Sequence, residues 1–186
     1  MNLLGWTLFF LSAQATELAG VSLQDQKTLA NQTLKLHGAG LREKYWLDIY
    51  VAGLYLPSSF SEEKSSASEI ISANVPKSIH TEFIFPNVSK EKMVETLEEN
   101  IQNNPKISSD TQEKMKRCQS WMEDYTSGDQ IIFDYVPNKG TTITVKGTIK
   151  GTIEGTDFMR ALFEIYIGPN PASEQLKQGL LNQNPS

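Results

Sequence analysis

The spacing of apolar residues changes several times along the 186-residue chain, and each change marks an element. Leu34 and Leu36 alternate with Lys35 and His37, the two-residue period of a strand. Gly38-Ala39-Gly40 then breaks the alternation as a small-residue turn or bulge that lets another backbone, or a ligand, come close, and a second strand is predicted from about Tyr45 to Leu56. Trp46, Ile49, Val51 and Tyr55 favour that strand, Gly53 marks a bend in it, and Pro57 ends it. Ser58 to Ser68 reads as loop. Ser66 and Glu69 have capping-box spacing ahead of a short helix through Ile70 and Ile71, which Pro76 closes. From Lys77 to Phe85 a further strand sets Ile79, Phe83 and Phe85 against His80 and Glu82.

The period then lengthens. Met93, Val94, Leu97 and Ile101 recur at helical spacing between Ser89 and about Asn103, with lysines and glutamates on the other face. Pro105 breaks this helix, and another is predicted from Ser109 to about Asp124 with Met115, Cys118 and Met122 inward. Three strands follow, Gln130 to Tyr135, Thr141 to Val145 and Thr148 to Ile153, separated by turn residues at 127–129, 137–140 and 146–147. Gly147, Gly151 and Gly155 recur every fourth residue, but no Walker lysine follows, so they read as bulges and turns of an antiparallel sheet and not as a phosphate loop. Thr156 caps a helix carrying Phe158, Ala161, Leu162 and Ile165, stopped by Gly168-Pro169. Ser173 caps a last short helix through Leu176, Leu180 and Leu181. Strands with helices grouped between and after them define an α+β class, an antiparallel sheet with helices packed on one face.

The length suits one domain. The first fifteen residues stand apart: Leu3 to Leu11 is apolar, and Ala13-Gln14-Ala15 has the small-x-small pattern of a secretory cleavage site, although no Lys or Arg precedes the run. Residues 1–15 are therefore expected to be a signal peptide, 16–30 a polar arm or edge strand, 31–182 the domain, and 183–186 a tail. Export to a periplasm after cleavage near Ala15 follows, with no transmembrane segment in the mature chain. A net charge of −5 supplies no basic stripe for nucleic acid. One cysteine, Cys118, allows no internal disulfide, and its helical spacing with Met115 and Met122 reads as core. With two histidines, His37 and His80, both read as lying on polar strand faces, ligands are too few for a metal centre. No cofactor is expected.

One residue breaks the apolar pattern of the first hairpin. Arg42 cannot be deprotonated and is costly to bury alone, so it needs a partner or an anionic ligand. The plain reading is a salt bridge to Glu43 or Asp48. The motifs around it, G-A-G-L-R, I-Y-V-A-G-L-Y-L, G-T-I-K-G-T-I-E-G-T-D-F-M-R-A-L-F-E-I-Y-I-G and L-K-Q-G-L-L, resemble the chalcone isomerase-like family over residues 31 to 182, in particular its bacterial branch. The resemblance implies an open-faced β-sandwich of chalcone isomerase type. It also implies a site: Arg42 matches the family's hairpin arginine, Tyr50 stands where the isomerases have a threonine, Asn100 matches their helix asparagine, and Met93 replaces the tyrosine seven residues before it.

A methionine cannot order water or donate to a ketone as a phenol does, so the changes point away from isomerisation. An arginine beside a tyrosine resembles instead the fatty-acid-binding branch, in which that pair grips a carboxylate. The expectation is non-catalytic binding of a small apolar anion, a fatty-acid-like carboxylate, through Arg42 and Tyr50, with Asn100, Met93 and Ser173 beside them. Two alternatives stand: an isomerase or lyase of conjugated carbonyl compounds, and an envelope partner protein with a vestigial cleft. The sequence leaves the oligomeric state open.

Overall fold

The computed structural model describes residues 15–60, 65–102 and 107–183. The expected signal segment falls outside it except for Ala15. From Ala15 the chain is already in strands: β1 (Ala15–Leu18) and β2 (Val21–Gln24) form a hairpin of their own, and β3 (Gln26–Leu29) is the edge strand of the main sheet. Of the arm or edge strand expected for residues 16–30, β3 is the edge strand, and β1 and β2 add a hairpin. Val21 and Leu23 are almost fully buried against Val51, so two apolar residues two positions apart suffice to seat the hairpin.

The main sheet has seven strands, all antiparallel and in chain order: β3, β4 (Gln32–Lys44), β5 (Leu47–Pro57), β6 (Lys77–Phe83), β7 (Gln130–Val136), β8 (Gly140–Val145) and β9 (Thr148–Ile153). One face carries Ala52, Leu54, Leu56, Ile79, Phe133 and Ile143, packed in a single core with side chains of the helices. The helices are α1 (Ala67–Ser72), α2 (Lys90–Gln102), α3 (Ser109–Ser120), α4 (Thr156–Ile167) and α5 (Glu174–Leu180). α4 is the central one, with Phe158, Leu162, Phe163 and Ile167 wholly buried. Each such side chain contributes about 1.5–3 kcal/mol on burial. The α+β architecture, a sheet with helices on one face, is the expected one.

Local details follow their sequence signals with some exceptions. Ser66 and Glu69 form the capping box, Ser66 N donating to the Glu69 carboxylate at 2.7 Å. Met115 and Cys118 lie inward on α3, and burial pushes the Cys118 thiol up to about 12, which leaves it unreactive. α3 is capped by Ser108, one residue earlier than Ser109, and α4 begins after Gly155 with Thr156 already inside the helix. His80 shares its strand face with Glu82, whereas His37 is buried at a bulge between Leu36 and Gly38, so its expected polar surface position is corrected.

The largest correction concerns the first hairpin. Gly38-Ala39-Gly40 is not its turn, because β4 continues through it for 13 residues, and the bulge alternative is the one met, between Leu36 and Gly38. The turn is Tyr45-Trp46, both with positive φ, 53° and 63°. The glycines serve α5 instead. A Cβ on Gly38 would sit 2.5 Å from the Leu180 carbonyl oxygen, one on Gly40 would overlap the Leu176 carbonyl, and one on Gly179 would sit 2.5 Å from Gly40 Cα. Strand and helix therefore touch backbone to backbone.

Lys77, unremarked in the sequence, is fully buried. Its ammonium donates to the carbonyls of Ile70 at 2.5 Å and Ala73 at 2.9 Å, closing the end of α1, and lies 5.0 Å from the Phe163 ring centre. Burial, with Arg160 nearby, pulls its pKa down to about 7 against those acceptors. The glycine contact is directly testable. Gly40→Ala is expected to lower the free energy of unfolding by about 2 kcal/mol, because two backbones must separate. Gly147→Ala, where a Cβ meets nothing within 4 Å but φ is 75°, tests conformational strain alone. Urea unfolding of the two variants separates the effects.

Candidate functional site

Arg42 lies near the turn end of β4, two residues past Gly40, and faces the helices as the glycines do. It pairs directly with Tyr50 of β5 in the strand register, which puts both side chains on one face. The guanidinium carbon stands 5.9 Å from the centre of the Tyr50 ring. Arg42 is 8 % exposed and Tyr50 6 %. Glu43 and Asp48 pair with each other in the register at the next step and are exposed. Among the described residues Arg42 forms no ion pair with either acid. Its Nη1 donates instead to the Ala172 carbonyl at 2.6 Å, in the link between α4 and α5.

A cavity of about 400 Å³ opens beside the guanidinium. Thr96 and Glu99 of α2 form one wall, and Pro169 to Ala172 with Glu174 form the other. Arg42 is the one cation among these lining residues. Both glutamates are exposed and sit toward solvent. The sequence named Met93 and Asn100 of α2 and Ser173 of the link, neighbours in sequence of these lining residues but not lining residues themselves.

Behind Arg42 the polar groups continue inward. Burial raises the Tyr50 phenol above its ordinary 10, and the Arg42 charge partly offsets this. Tyr166 of α4 is buried next to Tyr50 and Thr81, and burial with the neighbouring Tyr50 raises its phenol further. Both phenols therefore stay neutral donors through the physiological range. Phe83 meets Tyr50 edge-on at 5.6 Å and stacks on Tyr125 at 4.3 Å, fixing the inner ring positions.

The remaining expected residues fall as follows. Met93 is half-buried on α2, packed against the core, one helical turn before Thr96. Asn100 lies within α2, and its side chain falls outside the described residues. Ser173 caps α5, its Oγ accepting from Leu176 N at 3.2 Å, while the carbonyl that meets Arg42 is that of its neighbour Ala172. Arg42 and Tyr50 are thus brought together. Ser173 is engaged in the helix end.

This fold, with an arginine and tyrosine paired at the turn end of its longest hairpin, belongs to a known class. The chain is a member of the chalcone isomerase-like family, whose sequence profile matches residues 15–182. Among solved structures, a fatty-acid binding protein of Arabidopsis thaliana superposes with a TM-score of 0.68 at 17 % identity, the match covering 91 % of this chain and 96 % of that one. No curated protein matches the chain in sequence.

Burial sets a pH limit on this fold. Tyr50, Tyr55, Tyr125, Tyr135 and Tyr166 all have phenols raised above 10 by burial. Their contribution to stability is complete below pH 10, the unfolded value, and is lost as pH rises toward the folded values. Absorbance titration at the phenolate band is expected to show these five ionising together with unfolding, above pH 10.

Proposed function

We infer that the domain binds a small apolar carboxylate without transforming it, holding the anion at Arg42 and Tyr50. The observation that carries this reading is the state of Arg42: a buried guanidinium, met by one backbone carbonyl and by no carboxylate among the described residues, beside an open cavity. A carboxylate entering there supplies the missing charge through a charge-assisted pair, and the neutral Tyr50 phenol adds a donor. In this reading an alkyl tail lies against the half-buried apolar residues Ile49, Phe85, Met93 and Val94, which pack against the core and do not themselves line the cavity. The fatty-acid-binding function of the plant protein of the same fold is consistent with that ligand class.

Native mass spectrometry of the purified protein with a long-chain fatty acid tests the reading. A one-to-one complex is expected, weakened roughly 10- to 100-fold in Arg42→Met, the magnitude of a lost charge-assisted hydrogen bond. Tyr50→Phe is expected to weaken it by several-fold. Circular dichroism checks that both variants are folded. Equal retention by Arg42→Met and the parent would overturn the assignment.

A further inference from the structure

Four large apolar side chains are exposed among the described residues, and three of them are consecutive: Tyr45, Trp46 and Leu47, at 78, 95 and 47 %. They form the tip of the β4–β5 hairpin. Their backbone is as unusual as their exposure. Tyr45 and Trp46 both hold left-handed φ, a conformation that costs a bulky L-residue about 1–2 kcal/mol each. Other left-handed turns of the chain use small or turn-forming residues at the second position: Ala19-Gly20, Ala30-Asn31 and Lys146-Gly147. At this one turn, strain and exposed aromatic surface coincide.

We propose that the Tyr45-Trp46-Leu47 tip docks the protein on a lipid bilayer, with the aromatic rings seated at the headgroup level of a zwitterionic surface. Trp and Tyr favour that layer, where an apolar ring and a polar N–H or O–H are both accommodated. The size of the patch argues against a protein partner. Two aromatic residues and half a leucine expose about 500 Å², on a convex point, short of the ~800 Å² that each side of a stable protein interface buries. A bilayer requires no matching shape. The charges beside the tip are mixed in sign: Glu43 and Asp48 against Lys44, whose ammonium lies 5.8 Å from the Tyr45 ring centre. With a net charge of −5 the chain gains nothing from an anionic surface, which selects the zwitterionic one. No helix among the described residues is long and apolar enough to cross a membrane, so the contact is peripheral.

The docking stands on the tip itself and does not require the cavity to hold an acyl anion. It would, however, bring the cavity near the lipid surface. Arg42 is three residues from Tyr45, roughly 10 Å along the strand.

The test uses the full chain and vesicles of phosphatidylcholine with brominated acyl chains. The parent is expected to float with the vesicles, with tryptophan emission shifted to the blue and quenched by bromine. A Tyr45→Asn/Trp46→Gly double variant is expected to bind at least tenfold less. Its melting temperature should equal or exceed that of the parent, because Asn-Gly relaxes the turn, so lost binding is not lost folding. Trp46→Phe should keep most of the binding. A parent that stays in the aqueous phase overturns the proposal. So does a double variant that floats equally well, as it would if the apolar first residues of the chain carried the binding. Binding only to anionic vesicles overturns it too, as does a parent that sediments as a dimer lost in the double variant.

Discussion

The structure depends on one close contact, that of the β4 backbone with the α5 backbone through Gly38, Gly40 and Gly179. A side chain on any of the three would hold the helix away from the sheet. With the helix that close, the link before it is drawn over the end of β4, and the Ala172 carbonyl comes within 2.6 Å of the Arg42 guanidinium. The site is therefore a consequence of packing two residues away. The same strand supplies the glycines that admit the helix and the arginine that uses its approach.

The architecture was legible because its strands and helices are long enough to show a period. Leu97 on α2, Met115 and Cys118 on α3, and Phe158 and Leu162 on α4 stand where their spacing puts them. Of β1 to β3 only an edge strand was expected, because each has four residues and in β2 only Val21 and Leu23 carry the pattern. The hairpin turn was misplaced for a physical reason. Gly-Ala-Gly looks like a turn because glycine is permissive, and Tyr-Trp looks like strand because aromatic residues favour sheets. The close approach of another backbone, expected at these small residues, is what α5 provides, and Gly38 and Gly40 are two apart, hence on one strand face. Lys77 could not have been found, since a lysine that closes a helix from within the core looks in sequence like any lysine.

Arg42 and Tyr50 were legible as a pair through their motif, and the strand register places them opposite each other. What sequence could not reveal was what completes their surroundings: a main-chain carbonyl 130 residues away, two wall residues of α2 and a phenol from α4. A carbonyl accepts a hydrogen bond but carries no full charge. The guanidinium is thus hydrogen-bonded in a partly buried place without an ion pair to Glu43 or Asp48, the arrangement on which the proposed carboxylate site rests.

The main sheet visits its seven strands in the order in which they occur along the chain. Every ladder within it can zip from its neighbour, mostly across short connections, so the sheet is built from near contacts that form early. α5 is the exception. It must return across the sheet to meet β4, and it follows every strand in the sequence. A nascent chain can hold nearly the whole sheet and still have no wall on one side of the cavity. The cavity beside Arg42 therefore waits on a segment whose Ala172 lies 130 residues further along the chain.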